Sequence, residues 1–407
     1  MTRVVVLGEY RADRLIPPLV RAGAEVVVLG FVELSSFLGP EVECGKLPHD
    51  LTERDLLLLL QGYDADIAIP NMNSPGQEQT LPVYARAAAQ WRASGRHMLV
   101  HSEEFATLAT DKVEFHRIAE QRGWPVPRGV ICHDATTLRA AVAEIGSPVL
   151  VKEARSESHA GRCFVARDEP LDRAALDMMY PVLVQQAVAG EEFAVELITG
   201  PSYTVTWPVA SLGMLDSACA PGKQARVEPV ELPDGVREAL VAVIRDIVNT
   251  YRPAGPWQID FAVSDGALHL IELNGRLGGL SNMSWASTGL DPHLAHVGAV
   301  LGHPLEQPRT AQVALELPVY NEAVLPAAPA GTELKSFPGN PANRVPYNAG
   351  YYRAVLRVPD SRAGEARDWL LGLPPGTLLI DSAAAVAQLT RAMKALKQGG
   401  APLLRDA

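Results

Sequence analysis

The stretch Leu268–Gly279, LHLIELNGRLGG, sets a carboxylate, an amide and a guanidinium at every second position, as Glu272, Asn274 and Arg276. Successive side chains of a β-strand face opposite sides. Leu270, Glu272, Asn274 and Arg276 are therefore expected on one face, with Ile271 and Leu273 on the other. The preceding segment, WQIDFAV (residues 257–263), sets Asp260 between apolar Ile259 and Phe261, and the two segments read as a hairpin about Asp265-Gly266. Two acids and an amide oxygen on one face make a hard-oxygen set suited to Mg²⁺; without a cation Asp260 and Glu272 would repel each other. A two-residue turn would set Asp260 opposite Ile271, on the wrong face. Sharing a face requires an irregularity, which we place in the turn at Ser264–Ala267 as a three-residue loop with a left-handed glycine. A solvated edge hairpin is the plain alternative. Four polar positions in register, followed by Gly278-Gly279, favour a site.

The chain has 407 residues, more than one core usually serves, so two or three domains are expected. Its formal net charge of −11 argues against nucleic-acid and anionic-membrane partners. Cys44, Cys132, Cys163 and Cys219 lie far apart, which speaks against a disulfide framework or a zinc site. The N-terminus turns polar too early for a signal peptide, and no apolar run reaches membrane-spanning length. A cytoplasmic protein is the expectation.

Residues 1–105 read as an α/β unit. Val4–Leu7 and Glu25–Leu29 are continuous apolar runs of the kind found in parallel sheets buried on both faces. Helices are expected after Thr52 and near Gln77–Ser94, with strands at ADIAIP and HMLVH. The first turn holds Gly8 without a G-x-G-x-x-G pattern, so this unit reads as a scaffold lending one wall to a site, not as a dinucleotide domain. Glu9, Tyr10, the loop Pro70–Glu78 and Ser281–Trp285 are candidate wall residues, with ordinary loop or core roles equally open. From Thr110 onward, helices interleave with antiparallel strands, an α+β texture. Residues 311–407 hold Pro-rich linkers, a few strands and helices near 361–372 and 383–397, and read as a small third domain.

Upstream of the hairpin, Lys152 ends the apolar run PVLVKEA, and the loop RSESHAGR that follows offers backbone N–H groups to phosphates. In VLVQQAVAGEE, Gln185, Gln186 and Val188 are candidates to face a purine, and Glu192 to accept from ribose hydroxyls.

Four segments in this order, DKVEFHRIAEQRGWPVP, SPVLVKEARSESHAG, VLVQQAVAGEEFAVE and WQIDFAV…LIELNGRLGG, resemble the ATP-grasp superfamily over roughly residues 105–310. The resemblance implies an α/β and α+β multidomain fold. It comprises an N-terminal Rossmann-like domain (1–105) of the kind that precedes ATP-grasp domains, an ATP-grasp domain (106–310, lid about 125–200) and a small C-terminal α+β domain (311–407). It implies ATP contacts from Lys112, Lys152, Glu153, Ser158, His159, Gln185, Gln186, Val188 and Glu192, with the 156–161 loop as lid. Asp260, Glu272 and Asn274 would hold one or two Mg²⁺, for which Mn²⁺ can substitute. Arg276 would face the transferred phosphoryl group or a substrate carboxylate, with Gly278 and Gly279 at the acyl substrate. Lys223 in APGKQARVEP falls where such enzymes often place a phosphate-contacting base, a solvated loop lysine being the alternative. Glu157 and His159 depart from a glycine- and serine-rich lid, and Gln185 stands where an acid is commoner. The ELNGRLGG run is most similar to carboxylate–amine ligases of amino acids and dipeptides. This implies small-molecule carboxylate and amine substrates, with ADP and phosphate as products; separately, a homodimer through the N-terminal and central domains is the expectation. A bicarbonate-activating carboxylase and a non-catalytic ATP sensor are the competing readings.

Overall fold

The computed structural model describes residues 2–31, 38, 42–72, 77–156, 161–166, 171, 176–215, 224–319, 325–336, 352–399 and 403–404. Glu157, Ser158, His159 and Lys223 lie outside these residues, as do positions 73–76 of the Pro70–Glu78 loop.

The N-terminal sheet has the order β3-β2-β1-β4-β5: β1 (Arg3–Leu7), β2 (Glu25–Gly30), β3 (Glu43–Lys46), β4 (Ile67–Pro70) and β5 (His97–Met98). All pairings are parallel, and Val4–Leu7 and Val27–Leu29 are wholly buried, as their unbroken apolar runs require. Thr52 closes a capping box with Asp55 at the start of the helix Glu53–Gly62. The helix expected from Gln77 begins as a 3-10 turn, Glu78–Thr80, and becomes α-helical over Leu81–Ala93. That tighter turn carries Glu78.

A four-stranded antiparallel sheet, ordered β6-β9-β7-β8, follows: β6 (Gly129–Cys132), β7 (Val149–Glu153), β8 (Arg162–Val165) and β9 (Val182–Gln186). With the helix Ala135–Ile145 it encloses its own small core of Cys132, Leu138, Val149, Val151 and Val184. The helix Lys112–Arg122 leads into it, capped by Asp111 and stopped by Gly123 at φ 67°.

The third sheet has nine strands. Its path runs β15-β14-β10-β12-β13-β16-β18-β17, with β11 beside β10. The strands are β10 (Glu191–Gly200), β11 (Tyr203–Thr206), β12 (Ala210–Met214), β13 (Arg226–Glu228), β14 (Gly255–Ser264), β15 (Ala267–Asn274), β16 (Val313–Val319), β17 (Glu333–Ser336) and β18 (Tyr352–Val358). The segment after residue 311 does not close a sheet of its own, against the expectation of a separate small domain. β16 is buried along its whole length, so it needs neighbours on both edges, and it finds β13 on one side and β18 on the other. The helices Ala363–Leu371 and Ser382–Lys397 bury Leu370 and Leu389 in the same core as Leu315, Leu317 and Ile244.

The hairpin corrects the expected turn. Ser264 pairs with Ala267 across the two-residue turn Asp265-Gly266, both with positive φ (51° and 75°). The irregularity lies inside the strand instead: Phe261 pairs with Leu270 but Asp260 pairs with Glu272, leaving Ile271 as the extra residue of a bulge. Leu270 therefore leaves the polar face and joins Phe261, Leu268 and Leu273 in the core.

Candidate active site

Beyond the bulge, Asp260–Glu272 and Gln258–Asn274 are cross-strand pairs on one face. Asp260 is 6% exposed. Its two oxygens accept from Gln258 Nε2 (2.6 Å) and Asn274 Nδ2 (2.9 Å). Gln258 is a site residue that sequence reasoning passed over; its place two residues before Asp260 in a strand was the available signal. The Asn274 amide also accepts from Arg276 Nη2 at 3.3 Å, and Arg276 Nε donates to Glu78, in the 3-10 turn that follows β4. A line of polar contacts thus runs Gln258–Asp260–Asn274–Arg276–Glu78.

The charges explain the chemistry. Burial first, then the negative charges of Glu272 and Glu192, hold the Asp260 carboxyl well above the ordinary carboxylate range. Burial works in the same direction on Glu272, but Lys112, Lys152, Arg276 and Arg162 outweigh it and draw that carboxyl below its usual value. Burial also raises Glu192, with Arg226 opposing and Glu272 adding to the rise. The negative charges of these acids act on one another, and a cation beside Asp260 and Glu272 would relieve them. The donor set fits Mg²⁺: Asp260 and Glu272 supply hard oxygens. Among the described residues no three His, Cys, Asp or Glu side chains gather closely enough to hold an ion by themselves, so its remaining ligands would be amide, phosphate and water oxygens.

Facing these acids, Lys112 at the first turn of its helix donates to the Ser156 carbonyl, and Lys152 Nζ donates to Gln185 Oε1 at 2.9 Å. Arg162, on β8, joins them and was not anticipated; it lies at the far end of the loop that follows Lys152. Gln185 is buried between Lys152 and His116 (Nε2 to Nδ1, 3.4 Å), while Gln186 is exposed and Val188 half-buried in the connector to β10. Glu153 is engaged by the Met179 amide (2.8 Å). A pocket beside the hairpin is walled by Glu78, Lys112, Phe115, Ser156, Glu272 and Arg276.

At the glycine turn, the Gly278 N–H serves the Glu196 carboxylate, and its carbonyl accepts from Tyr10 Oη at 3.2 Å. A Cβ on Gly278 would press on the ends of the Gln258 and Arg276 side chains, so the turn packs closely against both. Sequence reasoning missed Glu196 and Glu228, both fully buried beneath the helix Ser281–Thr288 and bonded to Ser281 and Ser287. Burial raises Glu196 from 4.5 to about 7, with Ser281, Ser284 and the Gly278 amide opposing and Asp291 adding to the rise. Between these values the unfolded chain releases a proton that the folded protein keeps, so stability falls as pH rises, by roughly 3 kcal/mol in total. Glu196→Gln is expected to lose less Tm than the parent between pH 5 and pH 8. Parallel melting curves at the two pH values would remove Glu196 as the titrating group.

Residues 109–280 match the family profile of the ATP-grasp domain. The chain carries an ATP-grasp domain. Over 191 residues the chain is 29% identical to a D-alanine–D-alanine ligase of Desulforudis audaxviator, a match covering 44% of this chain and 62% of that one. Over 200 residues it is 24% identical to the arginine-specific carbamoyl phosphate synthase large chain of Bacillus subtilis, covering 47% of this chain and 19% of that one. The chain thus spans less than two thirds of each of these relatives. Among solved structures, the ADP complex of N5-carboxyaminoimidazole ribonucleotide synthetase superposes with a TM-score of 0.69 at 13% identity, covering 98% of both chains. A biotin carboxylase complex from Campylobacter jejuni gives 0.67 at 15% identity, covering 97% of both. At these identities the structural likeness speaks to the ATP-grasp fold alone. No helix among the described residues is long and apolar enough to cross a membrane.

Proposed function

We propose that this protein is an ATP- and Mg²⁺-dependent ligase that joins a carboxylate to an amine, releasing ADP and phosphate. The observation that carries it is the order of charges along the site: Lys112, Lys152 and Arg162 about Glu272, then Asp260 and Asn274, then Arg276. A carboxylate is a poor electrophile until one oxygen becomes a leaving group. In this reading a substrate carboxylate oxygen attacks the γ-phosphorus of ATP, the bond to the β-bridging oxygen breaks, and ADP departs. The amine lone pair then attacks the acyl carbon, the bond to the phosphate oxygen breaks, and the amine proton leaves with phosphate or water. Mg²⁺, held by Asp260, Glu272 and Asn274, would supply charge neutralisation at the phosphates. Lys112 and Lys152 bind and orient the phosphates, and the β6–β9 subdomain excludes water from the acyl phosphate. Arg276 is a fork-shaped donor matched to a carboxylate.

Arg276→Ala is expected to lower kcat/KM for the carboxylate about 100-fold while calorimetric ADP affinity stays within about twofold. Equal loss of ADP affinity would put Arg276 in the nucleotide site instead. A second reading, a bicarbonate-activating carboxylase passing through carboxyphosphate, is favoured by the full-length likeness to the carboxyaminoimidazole synthetase and biotin carboxylase folds. ADP release from MgATP decides between them. Dependence on a paired carboxylate and amine supports the ligase, and release driven by bicarbonate alone supports the carboxylase.

A further inference from the structure

The amide of Gln185 faces a lysine, and an amide can serve a cation with only one of its two ends. Lys152 Nζ, which can only donate, meets Gln185 Oε1 at 2.9 Å, so the Gln185 amino group must point the other way. It points at His116 Nδ1, 3.4 Å distant. That nitrogen therefore accepts, and the proton of the neutral ring sits on Nε2, which lies 3.3 Å from Glu120 Oε1. Lys152, Gln185 and His116 are buried, whereas Glu120 stands at the surface. Burial holds the His116 ring below its ordinary value, with Glu120 opposing and Lys152 assisting, which keeps Nδ1 free to accept.

The backbone makes room for this ring. Gly129 of β6 is the cross-strand partner of Gln185 on β9. A Cβ there would come within 2.6 Å of His116 Cε1 and Nε2. The place of the missing side chain is thus taken by an imidazole from the helix Lys112–Arg122. A carboxylate at position 185 would need no such support, because either of its oxygens accepts from a lysine. An amide turned end for end would instead set N–H groups against the Lys152 ammonium.

Resting on the reading of Lys152 as a phosphate-binding lysine, we propose that His116 is a positioning residue for the nucleotide: it locks the Gln185 amide with its carbonyl towards Lys152. His116 and Gln185 are then one device in two residues, and the histidine is needed because position 185 is an amide. Glu120 completes it by keeping the ring proton on Nε2. A neutral partner steadies Lys152 without cancelling the charge that the phosphates use.

The test is ADP affinity by calorimetry on the full chain. Leucine and asparagine have nearly the same shape, and only asparagine offers an acceptor where Nδ1 stands. His116→Leu is expected to weaken ADP about 10-fold, the order for a buried polar group left without its partner, and His116→Asn to stay within about threefold of the parent. Beside Gln185→Glu the same His116→Leu change is expected to cost about twofold or less, since a carboxylate needs no orienting. Gly129→Ala, which displaces the ring without removing it, is expected to match His116→Leu in both backgrounds, and replaces it if the leucine variant does not melt cooperatively. Equal loss in the leucine and asparagine variants, a loss that persists beside Gln185→Glu, or no loss at all overturns the proposal, for His116 then has no hold on Lys152. Lys152→Met checks the reading beneath it. A Lys152→Met protein that binds ADP as the parent does removes Lys152 from the phosphates and this proposal with it. A fall of about 10-fold or more in Lys152→Met, with parental affinity in His116→Leu, overturns the positioning role alone.

Discussion

Glu272→Ala is expected to abolish MgATP-dependent ADP release, by about 10³-fold or more, in a protein that stays folded. Both halves of this expectation come from the same charges. Glu272 is the carboxylate on which Lys112, Lys152, Arg276 and Arg162 converge, and it faces Asp260 directly across the hairpin. Removing it takes away one of the two hard-oxygen acids of the proposed cation site, so the transferring phosphoryl group loses its neutralisation. Yet in the absence of a cation Glu272 is also a source of repulsion, one of the negative charges that lift Asp260 above its ordinary range. The variant therefore relaxes that repulsion as it loses the lysine attractions, and the two effects oppose each other. Thermal melts with and without Mg²⁺ separate function from stability: the parent should gain Tm as Mg²⁺ is added, and the variant should not. Retention of near-parental ADP release would remove Glu272 from the metal set.

Gly8→Ala is expected to cost about 3 kcal/mol or more, a fall in Tm of at least roughly 5 °C. Gly8 has φ +119°, where L side chains are strained, and an added Cβ would overlap the carbonyl of Asn71. The close approach has a purpose. Asn71 Nδ2 donates to the Gly8 carbonyl (3.1 Å) and the Tyr10 carbonyl (2.6 Å), and Gln77 Nε2 donates to Glu9 Oε1 (3.0 Å). These bonds tie the end of β1 to both ends of the Pro70–Glu78 loop, and so fix the turn that presents Glu78. A Gly8→Ala protein with parental Tm would show that the backbone shifts at little cost.

Much of this was legible locally. The apolar runs of β1 and β2, the caps at Thr52 and Asp111, and the Asp260/Glu272/Asn274 face are short-range patterns, and the structure has them. The required irregularity was also foreseeable, since parity demanded it, but its place was not. Ile271 suits a regular strand as well as a bulge, and Asp265-Gly266 forms a good two-residue turn, so local preference gave no reason to prefer the strand interior. Glu196 and Glu228 alternate with apolar neighbours just as solvated residues do. Only the serines of a helix 85 and 59 residues away make them tolerable inside. The Glu78–Arg276 pair and the pairing of β16 with β13 are likewise products of tertiary closure, on which neighbouring residues carry no information.

The continuity of the nine-stranded sheet has a consequence for modularity. The family match ends at residue 280, and a natural cut would fall near residue 310, in the linker before β16. Such a cut would strip β13, a strand of three residues, of β16 on one side, leaving that edge open beside Arg226, which lies within electrostatic reach of Glu192. It would also remove Arg391, which reaches back from the last helix to Glu191. The C-terminal hundred residues are thus no cassette to be exchanged or shed. The nine-stranded sheet joins strands from both sides of the family boundary, and recombination between relatives would have to respect a seam that this boundary does not mark.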